Sequence, residues 1–224
     1  MTLILGIDTA TSGCAVALLQ DGHCLAERAE RMTRGQSEAL APMIEQVISH
    51  AGITPDAIDA IAVTRGPGAF TGLRIGLATA RALALTLDIP CLGIGTFDVL
   101  AAQAREHVLA DTADALLIVI ESKRAEMFCC AYEMNGSVID EPMALLPDQF
   151  SALLGARSRI AIAGDGADKA CAALQNSFET RCIDDVVVAD AKVVARLAQR
   201  FIANPSDAPA SPLYLRPPDV TLKA

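Results

Sequence analysis

Two stretches of this chain, 113 residues apart, follow one plan, and the repetition limits its possible folds more than any other feature. The first, "LILGIDTATSGCAVALLQDGHCLAERA", reads as an apolar strand ending in Asp8, a Thr/Ser-rich turn, a second strand from about Cys14 to Leu19, a turn at Asp21-Gly22 and a third strand. The second, "LLIVIESKRAEMFCCAYEMNGSVIDEPMALL", repeats that order: a strand ending in Glu121, a polar turn, a strand near Met127 to Tyr132, a turn at Asn135-Gly136 and another strand. Asp8 and Glu121 are 113 residues apart, and Gly22 and Gly136 are 114 apart. Each meander leads through a helical stretch into a short apolar strand, "AIAVT" at 60–64 and "IAIAG" at 160–164, which runs into glycine.

The pattern predicts a duplicated two-lobe α/β fold, each lobe a mixed β-sheet with flanking helices, and a nucleotide-sized cleft between the lobes if that cleft is in use. The N-terminal lobe is expected over 1–104, completed by the C-terminal helix and tail, 190–224; the second lobe is expected over 105–189. In the helix at 191–203, Val194, Leu197, Ala198 and Phe201 fall at i, i+3, i+4 and i+7, one apolar face that packs back on a lobe.

A hydrophobic content of 52% without tryptophan suits an aliphatic interior of this size. The net charge of -9 supplies no basic footprint for a phosphate backbone, so any nucleic acid is expected to be held by a partner. Seven cysteines without a C-x-x-C pair suggest reduced thiols rather than a disulfide framework or a zinc site. The apolar run Leu3 to Ile7 stops at Asp8, too short for a signal peptide, and no later run reaches membrane length without a charge or a break. These features point to a cytoplasmic chain with no membrane partner. The proline-rich tail from Asn204 reads as an extended strap or a loose end, with Leu213 and Tyr214 as tie points.

Residues 66–76, "GPGAFTGLRIG", hold four glycines between a strand and a long apolar helix. A Walker loop requires lysine after its last glycine, where Leu73 and Arg74 stand, and Gly66, Gly68 and Gly72 are one residue too widely spaced for a dinucleotide fingerprint. A glycine loop entering a helix N-terminus still suits an anion, so Asp8, Thr9, Gly66, Gly68 and Arg74 are candidates for a phosphate or nucleotide contact. The competing reading follows the helix, where Gly72, Gly76 and Ala80 form a smooth strip at i, i+4 and i+8 beside Leu73, Leu77 and Leu83. Glycine costs a helix up to about 1 kcal/mol, so the strip calls for a close neighbour. The helix from Ser37 to Ala51 is one such neighbour, with Leu40, Met43, Ile44 and Val47 on its apolar face, Ser37 as N-cap and Gly52 as stop. Core packing and a face shared with a partner chain both fit these residues.

Catalytic chemistry is sparse. His23, His50 and His107 lie far apart, with no H-x-x-x-H pair to ligate a metal, and no G-x-S-x-G elbow is present. No catalytic residue and no metal ligand are assigned. Asp8, at a strand end before Thr9, Thr11 and Ser12, suits either a hydrated magnesium or a turn cap.

With these residues in view, the chain resembles the bacterial TsaB family, through "ILGIDTATSGCAVAL", "SEALAPMIEQV", "AIAVTRGPGAFTGLRIGLATARALA", "IPCLGIGTFDVLA", "GDGA" at 164–167 and "PLYLR" at 212–216. The resemblance implies the actin, sugar kinase and Hsp70 superfamily fold, related to ribonuclease H. It also implies a non-catalytic subunit of the machinery that transfers threonylcarbamoyl from threonylcarbamoyl-AMP to N6 of adenosine 37 in tRNA. Its implied partners are a TsaD paralogue, as a heterodimer, and the TsaE ATPase; tRNA is met only through the complex, and a homodimer is left open for the chain alone. No cofactor is expected on this chain alone; ATP and a metal are expected on the partner subunits. The family's dimer contact carries over to Leu40, Met43, Ile44, Val47, Gly72, Leu73, Gly76 and Ala80. Two departures stand out: Gln36 where the family often has His, and Glu121-Ser122-Lys123-Arg124 where Asp-Ala-Arg is usual. The rival expectation is a free-standing ATP-dependent phosphotransferase or ATPase of the same superfamily.

Overall fold

The computed structural model describes residues 1–108, 112–122 and 124–215; Lys123 of the second-lobe turn, Arg216 of the "PLYLR" stretch and the rest of the tail lie outside the described residues. Two five-stranded mixed sheets carry the fold. In the first, β1 (Leu3–Asp8) pairs antiparallel with β2 (Gly13–Gln20), which pairs antiparallel with β3 (His23–Arg31), while β4 (Ala60–Thr64) and β5 (Cys91–Ile94) extend the other side in parallel. In the second, β6 (Ala115–Ile120), β7 (Met127–Glu133) and β8 (Met143–Leu145) form the meander, with β9 (Arg159–Ala163) and β10 (Glu179–Ile183) in parallel beside β6. The two sheet orders, β3-β2-β1-β4-β5 and β8-β7-β6-β9-β10, are one topology used twice. The expected duplication is therefore the architecture.

Side-chain parity builds the layers, because successive residues of a strand face opposite ways. Leu3, Leu5 and Ile7 of β1 pack with Leu40, Met43, Ile44 and Val47 of α1 (Gln36–His50) and Leu73, Leu77 and Ala80 of α2 (Phe70–Leu87). Ile4, on the opposite face, joins Phe97 and Leu100 of α3 (Thr96–His107), then Val193 and Val194 of α5 (Ala191–Ala198), then Leu116, Ile118 and Ile120 of the second sheet. Leu117 and Val119 face away, toward Phe150 and α4 (Ala167–Leu174). The space between the sheets is thus filled by α3 and α5 as one continuous core. Gly6 permits this: a Cβ there would lie 2.1 Å from the carbonyl oxygen of Ala191, at the start of α5.

Several local expectations shift. Helix α1 begins at Gln36 after Gly35, which is at φ 94°, so Ser37 is not its cap; the Ser37 hydroxyl instead meets Glu38 Oε2 at 2.9 Å. Gly52, at φ 67°, does end the helix, and Pro42 lies within it. Helix α5 stops at Ala198 and tightens into a 3₁₀ turn, and Asp190 caps its start by accepting from Lys192 N at 2.7 Å. Cys171 of α4 and Cys182 of β10 are joined in a disulfide, against the expectation of reduced thiols throughout; their Cα atoms are 6.6 Å apart. Helix α2 is long and apolar enough to cross a membrane by length and composition, but one side of it packs on the first sheet.

Candidate functional site

The glycine stretch and the first turn of the chain meet face to face. Ala69 N donates to Ala10 O at 2.7 Å, and the Thr9 hydroxyl donates to Gly72 O at 2.7 Å. A Cβ at Gly68 would lie 2.1 Å from Ala10 O, one at Gly72 would lie 2.0 Å from Thr9 O, and one at Gly76 would lie 2.4 Å from Thr9 Oγ1. The strip of small residues therefore receives the chain's own β1–β2 turn. Gly66, at φ 102°, lies under the C-terminal strap, where its Cβ would meet Leu213 O at 2.8 Å.

The small-residue strip is used for close packing within the chain. Leu40, Met43, Ile44, Val47, Gly72, Leu73, Gly76 and Ala80, the expected partner contact, are all buried in this one chain. The phosphate candidates do not surround an open site. Thr9 is buried and committed, Gly66 and Gly68 are packed on backbone, and the Arg74 guanidinium lies 3.6 Å from the centre of the exposed Phe70 ring.

Asp8 is fully buried at the end of β1. It accepts from the Thr64 hydroxyl at 2.6 Å, from the Thr11 hydroxyl at 2.5 Å and from Ala10 N at 3.1 Å. Burial pushes its carboxyl above the ordinary range, and the threonine hydroxyls pull the other way. Thr11 Oγ1 also accepts from Ala189 N at 3.1 Å, which fastens the turn to the segment leading into α5. Asp8 works here as a turn-capping group with its oxygens occupied.

The two lobes meet at Asp165. It stands in Gly164-Asp165-Gly166 after β9, the place that Gly66-Pro67-Gly68 holds after β4, and Gly164 and Gly66 share a φ near 100°, at 104° and 102°. One carboxylate oxygen accepts from the Ser12 hydroxyl at 3.0 Å, the other from Glu121 N at 2.7 Å. The first turn of each lobe thus donates to one carboxylate between them. Burial pushes the Asp165 carboxyl up, opposed by those same hydrogen bonds. Glu121 itself pairs with Lys169 at 2.6 Å. Ser12 is legible in the sequence only as a neighbour of Asp8, and Asp165 not at all; the repeated Gly-x-Gly after each lobe's fourth strand is the available signal.

A different surface is open. Thr71, Ile75, Ala78, Ala82 and Leu85 recur at i, i+4, i+7, i+11 and i+14 along the outer side of α2, and Leu85 is 84% exposed. The exposed Ala41, Pro42 and Glu45 lie on α1, which packs beside it. At the N-terminal end, Phe70 and Tyr214 stand with ring centres 5.7 Å apart, 47% and 42% exposed, and Arg74 Nε donates to the Tyr214 hydroxyl at 3.1 Å. Tyr214 is brought there by the strap, in which Gly93 N donates to Ala208 O at 2.9 Å and Leu213 N to Arg65 O at 2.7 Å. Among the described residues, no group of three or more His, Cys, Asp or Glu is placed to hold a metal ion.

Comparison with known proteins follows this geometry. Residues 26–200 match the family model "TsaD: tRNA N6-adenosine threonylcarbamoyltransferase". The chain is 35% identical over 132 residues to the tRNA threonylcarbamoyladenosine biosynthesis protein TsaB of Escherichia coli, an alignment that takes in 59% of this chain and 55% of that protein. The match thus spans about half the length of that curated relative. The solved structure of YeaZ from Pseudomonas aeruginosa is 28% identical and superposes with a TM-score of 0.80, covering 96% of this chain and 100% of that one. Component A of the (R)-2-hydroxyglutaryl-CoA dehydratase of Acidaminococcus fermentans, 12% identical with a TM-score of 0.55, covers 91% of this chain and 100% of its own, and shares the fold alone. The duplicated two-lobe fold is shared with these structures, and the match over residues 26–200, more than half of the chain, places it in the family of the tRNA N6-adenosine threonylcarbamoyltransferase model, with the TsaB proteins as its named relatives.

Proposed function

We propose that this protein is a non-catalytic scaffold subunit in the making of threonylcarbamoyladenosine on tRNA, acting in the cytoplasm. It pairs through the outer side of α1 and α2 with a TsaD paralogue, which holds the metal and the threonylcarbamoyl-AMP donor, with the TsaE ATPase as third component and tRNA met only through the assembly. The observation that carries this reading is a division of labour on the first lobe. The polar groups of the β1–β2 turn are spent on one another and on Asp165, while α2 leaves an apolar stripe exposed, ending in an aromatic and arginine cluster of the composition typical of interface anchors. The same stripe serves self-pairing when the paralogue is scarce.

Reconstitution tests the proposal. Purified TsaD paralogue, TsaE, threonylcarbamoyl-AMP and tRNA are expected to yield modified adenosine 37 only when this chain is added, in stoichiometric rather than catalytic amount. Magnesium-dependent ATP turnover by the chain alone, lost in Asp8→Asn, would favour the free-standing phosphotransferase instead.

A further inference from the structure

A second feature lies at the far side of the layer between the sheets. A cavity of about 70 Å³ is walled by α3, by the 3₁₀ turn after α5 and by β7 with its following turn, so both lobes contribute to it. Two guanidinium groups, Arg105 and Arg200, line it. Acidic residues outnumber basic ones by 27 to 18, which favours pairing. The neighbouring Arg196 does hold Glu106, at 2.5 Å, and Arg157 and Arg159 hold Glu133 and Asp114. Arg105 and Arg200 make no ion pair and donate no hydrogen bond among the described residues; Arg200 only stacks 4.7 Å from the centre of the Phe201 ring.

The one carboxylate in the wall is turned to other work. Asp98 Oδ1 accepts from the buried Tyr132 hydroxyl at 3.1 Å, and burial together with Asp98 keeps that hydroxyl protonated and donating. Asp98 Oδ2 folds back over Gly95 at the start of α3, 2.5 Å from where a Cβ would stand, and there it faces the positive end of the helix. Gly136 is equally specific. A Cβ on it would lie 1.6 Å from Arg105 Nη1, so the guanidinium rests against the turn in space that only glycine leaves. Arg105 is half-buried and Arg200 exposed, so it is the Arg105 charge, held in place without a counter-ion, that is costly unless something else supplies the negative charge.

We infer that Arg105 and Arg200 form a binding site for a small oxyanion, of the phosphate type, pinned between the lobes. On the same measure a single water needs about 10–15 Å³, so the cavity has room for a small anion, or for the phosphate end of a larger molecule whose remainder stays outside. Arginine is suited to this role because its fork donates two parallel hydrogen bonds to one anion. The site lies between α3 and the 3₁₀ turn after α5, apart from the outer side of α1 and α2, so it stands or falls independently of the scaffold proposal.

The test is calorimetric titration of the purified chain with inorganic phosphate and, separately, with AMP, against chloride at matched ionic strength. Binding of one equivalent is expected, and Arg105→Gln or Arg200→Gln should each weaken it roughly ten- to a hundredfold, the range for lost hydrogen bonds to a charged group. Arg105→Lys keeps the charge but not the fork and should fall between, while Arg34→Gln, on the exposed loop before α1, should bind as wild type. Tighter binding of AMP through the same two arginines would place the phosphate on a larger ligand; binding of inorganic phosphate alone would make it a free anion. The inference is overturned if the folded wild-type chain gives no phosphate-specific heat, or if both glutamine variants bind like wild type.

Discussion

Asp8 is a fully buried carboxylate with three donors, and its titration follows from that balance. Its folded-state pKa is raised above the ordinary value of 3.8, with desolvation as the largest cause. The folded chain therefore holds this proton more tightly than the unfolded chain does. The associated stability is present below the ordinary carboxylate range and is lost as pH rises through the raised value. Asp8→Asn removes that dependence. Denaturant unfolding between about pH 4 and 8 is expected to show a shallower loss of stability with rising pH in the variant than in wild type. Equal slopes would mean that Asp8 ionises as freely when folded as when unfolded. At the same scale, Gly76 carries a lesson about reading glycines. Its spacing with Gly72 announces a close approach, but a pattern within one helix does not name the neighbour, and here the neighbour is Thr9 of the same chain. Gly76→Leu would thus disturb the fold before it disturbed any partner.

Among the elements, the parts set by local periodicity were legible: both meanders, the strand at 60–64 in full, and the helices at α1 and α2. The repeated acid, turn glycine and closing strand fixed the topology because each copy corroborates the other. The missed parts depend on contacts distant in sequence. Ser12 reaches Asp165 across 153 residues, Phe70 finds Tyr214 across the length of the fold, and β8 shrinks to Met143–Leu145. The tail is the clearest case, because its proline-rich composition fits a strap and a loose end equally well. As a strap it contributes the Gly93-to-Ala208 and Leu213-to-Arg65 hydrogen bonds and a bridge between Leu92 and Pro209 beside β5. At about 1 kcal/mol for each of these backbone links, ending the chain at Asp207 should cost on the order of 3 kcal/mol, a fall in melting temperature of roughly 6–12 °C. An unchanged melting temperature would show that the strap contributes nothing to the fold.

For the whole molecule, a duplicated two-lobe architecture is joined to the scaffold role proposed for it. The layer between the sheets is filled by α3 and α5, and Asp165 receives a hydrogen bond from the first turn of each lobe, so the lobes are fastened where a cleft would open. An accessible apolar stripe lies instead on α2, from Phe70 to Leu85. The measurement that tests this most directly is light scattering of the chain mixed with its TsaD paralogue, with Leu85→Glu and Ala78→Arg alongside, both on the exposed stripe and away from the core. The account predicts a one-to-one heterodimer for wild type and separate, folded monomers for both variants, since an unpaired charge in an apolar contact costs several kcal/mol. A heterodimer that forms equally well with both variants, or no complex at micromolar concentration, would contradict it.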